Sequence, residues 1–239
     1  MIDPEYASIV GRIGWLVAIS RPDIAYAHSM LSRHMSKGGS RHRTEAIRVI
    51  QYLYHTQHYG ITYGRHRSSE IENFIASHTK LQQPSFENEL LCFVDSSHGG
   101  ERPMAGYTIL LNGGPIATAA SRATATPLSS CQGEYLAASK AAVPLVALRD
   151  TAEFIGFTMH APSFIFSDNM AAVQLSDNNT SSKRLKHIAT RIAFLQELRN
   201  AGAIVMYHIA NTGQVGDIFT KPLGAALFHE FRQYLVGGP

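Results

Sequence analysis

Cysteine is scarce in this chain of 239 residues: only Cys92 and Cys131 are present. Two thiols cannot build a disulfide framework, and they do not stand at zinc-ligand spacing. Both fall in segments that read as regular structure, Cys92 in a strand and Cys131 in the first turn of a helix. Buried free thiols in a reducing compartment are therefore expected. A large excess of one charge is also lacking. Lys and Arg number 21 against 18 Asp and Glu, giving pI ≈ 8.9, a basic bias too mild to argue alone for a polyanionic partner. No apolar run approaches membrane-spanning length. The start, Met1-Ile2-Asp3-Pro4-Glu5, carries acids where a secretory leader carries positive charge. These absences lead us to expect a soluble intracellular chain with no membrane role. The 12 histidines are scattered, and His55-Thr56-Gln57-His58 offers two metal-binding side chains without a third or fourth. What is present is material for a core: 45% of residues are hydrophobic and 16% charged, enough for one large domain or two small ones.

Two short strand-like runs each end in an aspartate: Leu91-Cys92-Phe93-Val94-Asp95 and Phe164-Ile165-Phe166-Ser167-Asp168. In both, a phenylalanine two residues before the acid shares its strand face. Side by side, the two strand ends would bring two carboxylates together, and a divalent cation is the usual reason to tolerate that repulsion. The alternative is two aspartates in turns, where Asp is common.

Residues 1 to about 65 read as helices. Ala7 to Ile19 is apolar on most faces, and Pro22 suits the first turn of a second helix through Tyr26, Met30 and Leu31. Thr44 to Tyr54 carries apolar residues at helical spacing, and Ile61-Thr62-Tyr63 reads as a short strand. Arg65 to Asn88 is polar and patternless, which marks a boundary or long connection. From there strands and helices alternate: strands over Glu89–Asp95, Ala105–Leu111 and Ile116–Ala120, the last two joined by a hairpin turn at Asn112-Gly113-Gly114. Ser129-Ser130-Cys131-Gln132 has the form of a capping box opening a helix to about Ile155, with Pro144 expected to kink it. A strand over Ser163–Ser167, a short helix over Met170–Leu175, a polar loop over Ser176–Ser182, a helix over Lys186–Asn200, a strand over Ile204–Ile209 and a helical turn at Gly216–Thr220 complete the pattern.

Glu134 opens a stripe of small apolar positions, Ala137, Ala138, Ala141 and Leu145, so it points toward the sheet. An acid favoured by a helix N-terminus is one explanation, and a third ligand beside Asp95 and Asp168 is the other. Asp217, in Gly216-Asp217-Ile218-Phe219-Thr220, would ordinarily be a cap.

The order of elements together with these four acids resembles the ribonuclease H fold. The resemblance narrows to the ribonuclease H region of copia-type retrotransposon Pol polyproteins. It is carried by Phe93-Val94-Asp95, Ala105-Gly106-Tyr107, Leu128-Ser129-Ser130, the run from Gly133 to Ser139, Ser167-Asp168-Asn169 and Lys186-His187-Ile188. It ends in Asp217-Ile218-Phe219-Thr220-Lys221-Pro222-Leu223, a run that recurs at the end of such polyproteins. Tyr6 to Gly11, Arg21 to Ala27 and the helix around Ala46 to Tyr54 resemble the tail of the reverse transcriptase.

The resemblance implies an α/β fold: a ribonuclease H-like five-stranded mixed sheet flanked by helices, preceded by a mainly helical reverse-transcriptase tail. It divides the chain into a helical part (1–65), a connection (66–86), the ribonuclease H-like domain (87–223), expected to fold alone, and a C-terminal tail (224–239). The start would fall after the catalytic aspartates of a reverse transcriptase, so no polymerase activity is expected. Asp95, Glu134, Asp168 and Asp217 fall on the family's four catalytic carboxylates. They imply two Mg²⁺ ions, or Mn²⁺, acting on the RNA strand of an RNA–DNA hybrid. Asp95 would bridge both ions, Asp217 serve the one that activates water, and Glu134 and Asp168 serve the other. Lys183, Arg184, Lys186 and His187, the densest basic stretch, are expected phosphate contacts, and the rest of a reverse transcriptase is a further expected partner. Departures from the family pattern are Ser96-Ser97-His98 after the first aspartate, Gln132 in place of glutamate, and Ala189 and Ala193 in place of an aspartate and a histidine. They keep a second reading open, a non-catalytic degenerate or co-opted fragment that retains the fold and a binding surface.

Overall fold

A computed structural model describes residues 4–82, 85–97, 103–123, 127–177 and 188–238. Helix α1 (Pro4–Ile19) buries Tyr6, Val10 and Ile13 along one stripe. Pro22 opens a 3-10 turn (Pro22–Ile24) that runs into α2 (Ala25–Ser32), and α3 (Ser40–His55) packs across both through Ala46. A buried arginine ties this helical group together. Arg21 donates to both Asp23 carboxylate oxygens at 2.9 and 2.8 Å and to the carbonyl and hydroxyl of Thr56 at 3.1 and 2.8 Å. The Tyr52 hydroxyl donates to Asp23 at 2.7 Å. Removing either charge would strand the other in the interior, at a cost of about 3–5 kcal/mol.

Five strands form one sheet in the order β3-β2-β1-β4-β5. β1 (Leu90–Ser96), β2 (Met104–Leu111) and β3 (Gly114–Arg122) are antiparallel neighbours. Asn112 and Gly113, at φ 48° and 79°, make the tight turn between β2 and β3. β4 (Ser163–Ser167) and β5 (Ile204–His208) join parallel to β1. Parallel neighbours need crossovers, supplied by α5 (Ser130–Phe154) and then by α6 (Met170–Asp177) and α7 (Ala189–Asn200). On one face, Tyr135, Ala138, Ala141 and Leu145 of α5 meet Cys92, Val94 and Ile165. The alternation expected of the strands turns Leu91, Phe93 and Phe166 to the other face, where the Phe93 and Phe166 rings stack at 5.1 Å.

That second face is covered by elements the sequence pattern did not announce. The stretch read as a polar connection contains α4 (Arg65–His78), which buries Ile71, Phe74 and Ile75 against the sheet. The stretch read as a C-terminal tail contains α8 (Ala225–Arg232), which adds Phe231, followed by Leu235 and Val236. Ile61–Tyr63 is not a strand; its neighbourhood contributes only the single bridge between Gly60 and Gly237. α6 runs on to Asp177 where a loop was expected, and α5 passes through Pro144 as one helix. Cys92 and Cys131 are free thiols, Cys92 buried. Among the described residues no helix is long and apolar enough to cross a membrane.

Candidate active site

β1 and β4 lie side by side, with Phe93 paired to Phe166, so their C-terminal ends bring Asp95 and Asp168 to one edge of the sheet. Helix α5 delivers the third acid. Ser129 caps it by accepting from the Gln132 N–H at 3.3 Å, while Gln132 accepts from the Leu128 N–H at 2.7 Å, one residue earlier than a reciprocal box requires. Gly133 matters for reach: a Cβ there would collide with the Ser96 hydroxyl, so glycine lets the first turn of α5 close onto the end of β1. Both oxygens of Glu134 are then fixed. Oε1 accepts from the Ser96 N–H at 2.8 Å and Oε2 from the Ser167 hydroxyl at 3.1 Å. One oxygen each of Asp95, Glu134 and Asp168 lies within 4.8 Å of the others.

Asp217 reaches this edge on the 3-10 turn Val215–Phe219. The turn sits directly on the sheet because Gly106 has no side chain to meet Phe219 and Thr220. Its carboxylate stands apart from the tight trio and is joined to it by Lys221, whose Nζ lies 2.8 Å from Asp217 Oδ1 and 3.6 Å from Asp95 Oδ1. Thr220 donates its hydroxyl to Asp95 Oδ2, and His208 donates Nε2–H to the Asp168 carbonyl at 3.1 Å. Asp95, Glu134 and Asp168 open into a cleft of ≈ 370 Å³ walled also by Ser130, Asn169, Asn211 and Lys221.

Electrostatics mark this edge as costly. Asp95 is 1% exposed and Glu134 4%. Burial, then the charges of Asp95 and Asp168, push Glu134 up to about 9. Burial and Asp95 push Asp217 up to about 6 against the pull of Lys221, and burial and Asp95 raise Asp168 as well. Burial disfavours the Lys221 ammonium, but Asp95, Asp217 and Asp168 outweigh it and raise its pKa. A set of hard carboxylate oxygens converging at an accessible cleft fits a small divalent cation.

The four acids picked out from the sequence thus share one sheet edge, three as a tight trio and Asp217 behind Lys221. Lys183, Arg184, Lys186 and His187 lie outside the described residues. Sequence reasoning passed over Lys221, Thr220, Ser167 and His208. Lys221 had a signal, since it stands four residues after Asp217, just past a helical turn; Ser167 and His208 are recognisable only once the strands are paired.

Three antiparallel strands extended by two parallel ones, with acids at the strand ends, define a ribonuclease H-like fold. In sequence the chain is similar to Pol polyproteins of plant transposons, of whose length it spans about 15%. It is 27% identical over 236 residues to the retrovirus-related Pol polyprotein from transposon RE1 of Arabidopsis thaliana, a match spanning 97% of this chain and 15% of that polyprotein. Secreted RxLR effector protein 161 of Plasmopara viticola is 30% identical over 145 residues, 59% of this chain and 89% of that protein. Among solved structures, LC11-RNase H1 isolated from compost is 16% identical, with a TM-score of 0.43, covering 56% of this chain and 93% of that one. No protein-family model matches the chain.

Proposed function

We propose that the chain is the ribonuclease H-type nuclease module of such a polyprotein, cutting the RNA strand of an RNA–DNA hybrid. One observation carries this reading: two buried carboxylates and a half-buried third, from three separate parts of the fold, converge within 4.8 Å, at the price of mutual repulsion. Asp95, Glu134, Asp168 and Asp217 would hold two Mg²⁺ or Mn²⁺ ions. When bound, the ions would supply an activated water and charge stabilisation at the leaving oxygen of an in-line displacement. The chain's own residues set the geometry. Thr220 orients Asp95, Ser96 and Ser167 orient Glu134, and His208 fixes the backbone that carries Asp168. Lys221 holds Asp217 in place and neutralises part of the acid charge. Selection of hybrid over duplex DNA would come from 2′-hydroxyl contacts without base reading, with Lys183, Arg184, Lys186 and His187 touching phosphates.

Cleavage of a labelled RNA–DNA hybrid with and without Mg²⁺ tests the reading, with Asp168→Asn as control. The variant nearly preserves shape and removes one repelling charge. It should lose cleavage yet melt no earlier than the parent in EDTA. A variant that cleaves at the parental rate would remove Asp168 from the site. A second reading, a module kept without catalysis, is favoured by the relative of Plasmopara viticola, of which this chain covers 89%. Mg²⁺ binding without hybrid cleavage by the parent would decide for it.

A further inference from the structure

The sheet end that carries the acids also carries cations with no acidic partner. Met104 stands opposite Arg122 across the β2–β3 pairing. Arg33, at the C-terminal end of α2, sets its guanidinium against the Met104 sulfur. The two arginines therefore flank one residue from two sides. Arg33 Nε is buried without a hydrogen-bond partner, and among the described residues neither arginine has a carboxylate at ion-pair distance. Arg21, Arg43, Arg48, Arg65, Arg67 and Arg199 are each paired with an acid, Arg149, Arg191 and Arg232 donate to neutral oxygens, and what sets Arg33 and Arg122 apart is that they share one neighbour, Met104. Beside them, His34 stacks on His42 at 4.1 Å. Burial and the charge of Arg122 both disfavour the charge on Arg33, and burial, His42, Arg33 and Arg122 together lower His34. Like charges gathered on a surface without counter-charges are the electrostatic footprint of an anion site.

Its place relative to the acids says which anion. Asp95 pairs with Gly106, and Met104 lies two residues further along β2 on the same face. At strand spacing, that puts Met104 about 8 Å from Asp95 and Arg122, one strand over, about 12 Å away. A nucleic-acid strand carries one charge per roughly 3.4 Å of helix axis, so phosphates about two to four positions from one held at the acids would lie over the arginines. The guanidinium fork suits a phosphate in two-point contact.

We propose that Arg33 and Arg122, with His34 beside them, form a phosphate-binding site for the backbone of the nucleic acid processed at the carboxylates. Half of this site comes from the helical segment ahead of the sheet. The identity of the anion rests on the nuclease reading. The site itself rests on the unpaired arginines.

Anisotropy of a fluorescent RNA–DNA hybrid with the full chain, in EDTA so that no cleavage occurs, tests it. Arg122 is exposed, so Arg122→Ala should leave the melting temperature unchanged; Arg33→Gln and the double variant complete the set, with Arg43→Ala, whose guanidinium is paired to Glu5, as control. Each arginine removed should weaken binding at least ~5-fold at low salt and lower the slope of log Kd against log salt by about one. Arg43→Ala should change neither. If the parent cleaves hybrid but Arg122→Ala binds with parental affinity and slope, the inference is overturned and the nuclease reading stands. If the parent neither binds nor cleaves hybrid, both fall.

Discussion

Replacing Glu134 by glutamine tests the electrostatics of the acid cluster without disturbing its shape. Glu134 has its pKa pushed from 4.5 up to about 9, first by burial and then by Asp95 and Asp168. A folded-state pKa above the unfolded one means stability that is complete below about pH 4.5 and is lost as the pH rises toward 9. At about 1.36 kcal/mol per pH unit, the loss reaches about 3 kcal/mol at pH 7 and on the order of 6 kcal/mol by pH 9. Glutamine is isosteric and cannot ionise, and it can still accept from the Ser96 N–H and pair with the Ser167 hydroxyl. In EDTA, Glu134→Gln should therefore match the parent near pH 4.5. At pH 7 it should melt roughly 6–12 °C higher, as about 3 kcal/mol corresponds to in a chain of this size. Asp168 and Asp217 are raised in both proteins, so their effects largely cancel in the difference. Adding Mg²⁺ should raise the parent more than the variant and so narrow or reverse the difference. A difference in melting temperature that stays flat from pH 4.5 to 9 would refute this account of the site.

Two further outcomes are expected. A chain beginning at Glu87 loses Ile71, Phe74, Ile75 and Phe86 from the second sheet face. At about 1.5–3 kcal/mol for each large side chain, the loss is comparable to a whole domain's stability. It should fail to melt cooperatively in circular dichroism, whereas a chain beginning at Tyr63 should melt as a unit; a cooperative melt from the Glu87 chain would show that α4 is dispensable. Lys221→Met removes the cation at 2.8 Å from Asp217 and 3.6 Å from Asp95. It should lower the melting temperature in EDTA and widen the gain on adding Mg²⁺, and an unchanged gain would mean that Lys221 carries no share of the acid charge.

The acid edge was legible in the sequence because strands advertise it: Phe93 and Asp95, and Phe166 and Asp168, alternate on one face before each strand stops. Ser163–Ser167 matches its strand at both ends for the same reason. α4 was missed although Ile71, Phe74 and Ile75 stand at i, i+3 and i+4, because three apolar residues in a run of Arg, His, Ser and Glu give a weak stripe. What those three residues pack against lies tens of residues away, and so does the partner of Phe231. The capping residue Gln132 was recognised but its target was not, since the choice between the Leu128 and Ser129 N–H groups depends on how the loop before α5 approaches. Unpaired charge was the least legible feature. Arg33 and Arg122 look ordinary in sequence, and only the pairing of β2 with β3 and the packing of α2 beside it bring both to Met104.

Glu134 has one oxygen bonded to the end of β1 and the other to the end of β4, strands that touch in space but are far apart along the chain. This arrangement has a kinetic consequence. A chain in which the crossover helix has not yet docked holds single carboxylates and no cluster, so a divalent ion can recognise only the finished fold. Such an ion adds its full binding free energy to the native state. If the two strand ends part early in unfolding, the ion must leave before the barrier is crossed. Mg²⁺ would then act as a brake on unfolding while leaving the speed of refolding almost untouched.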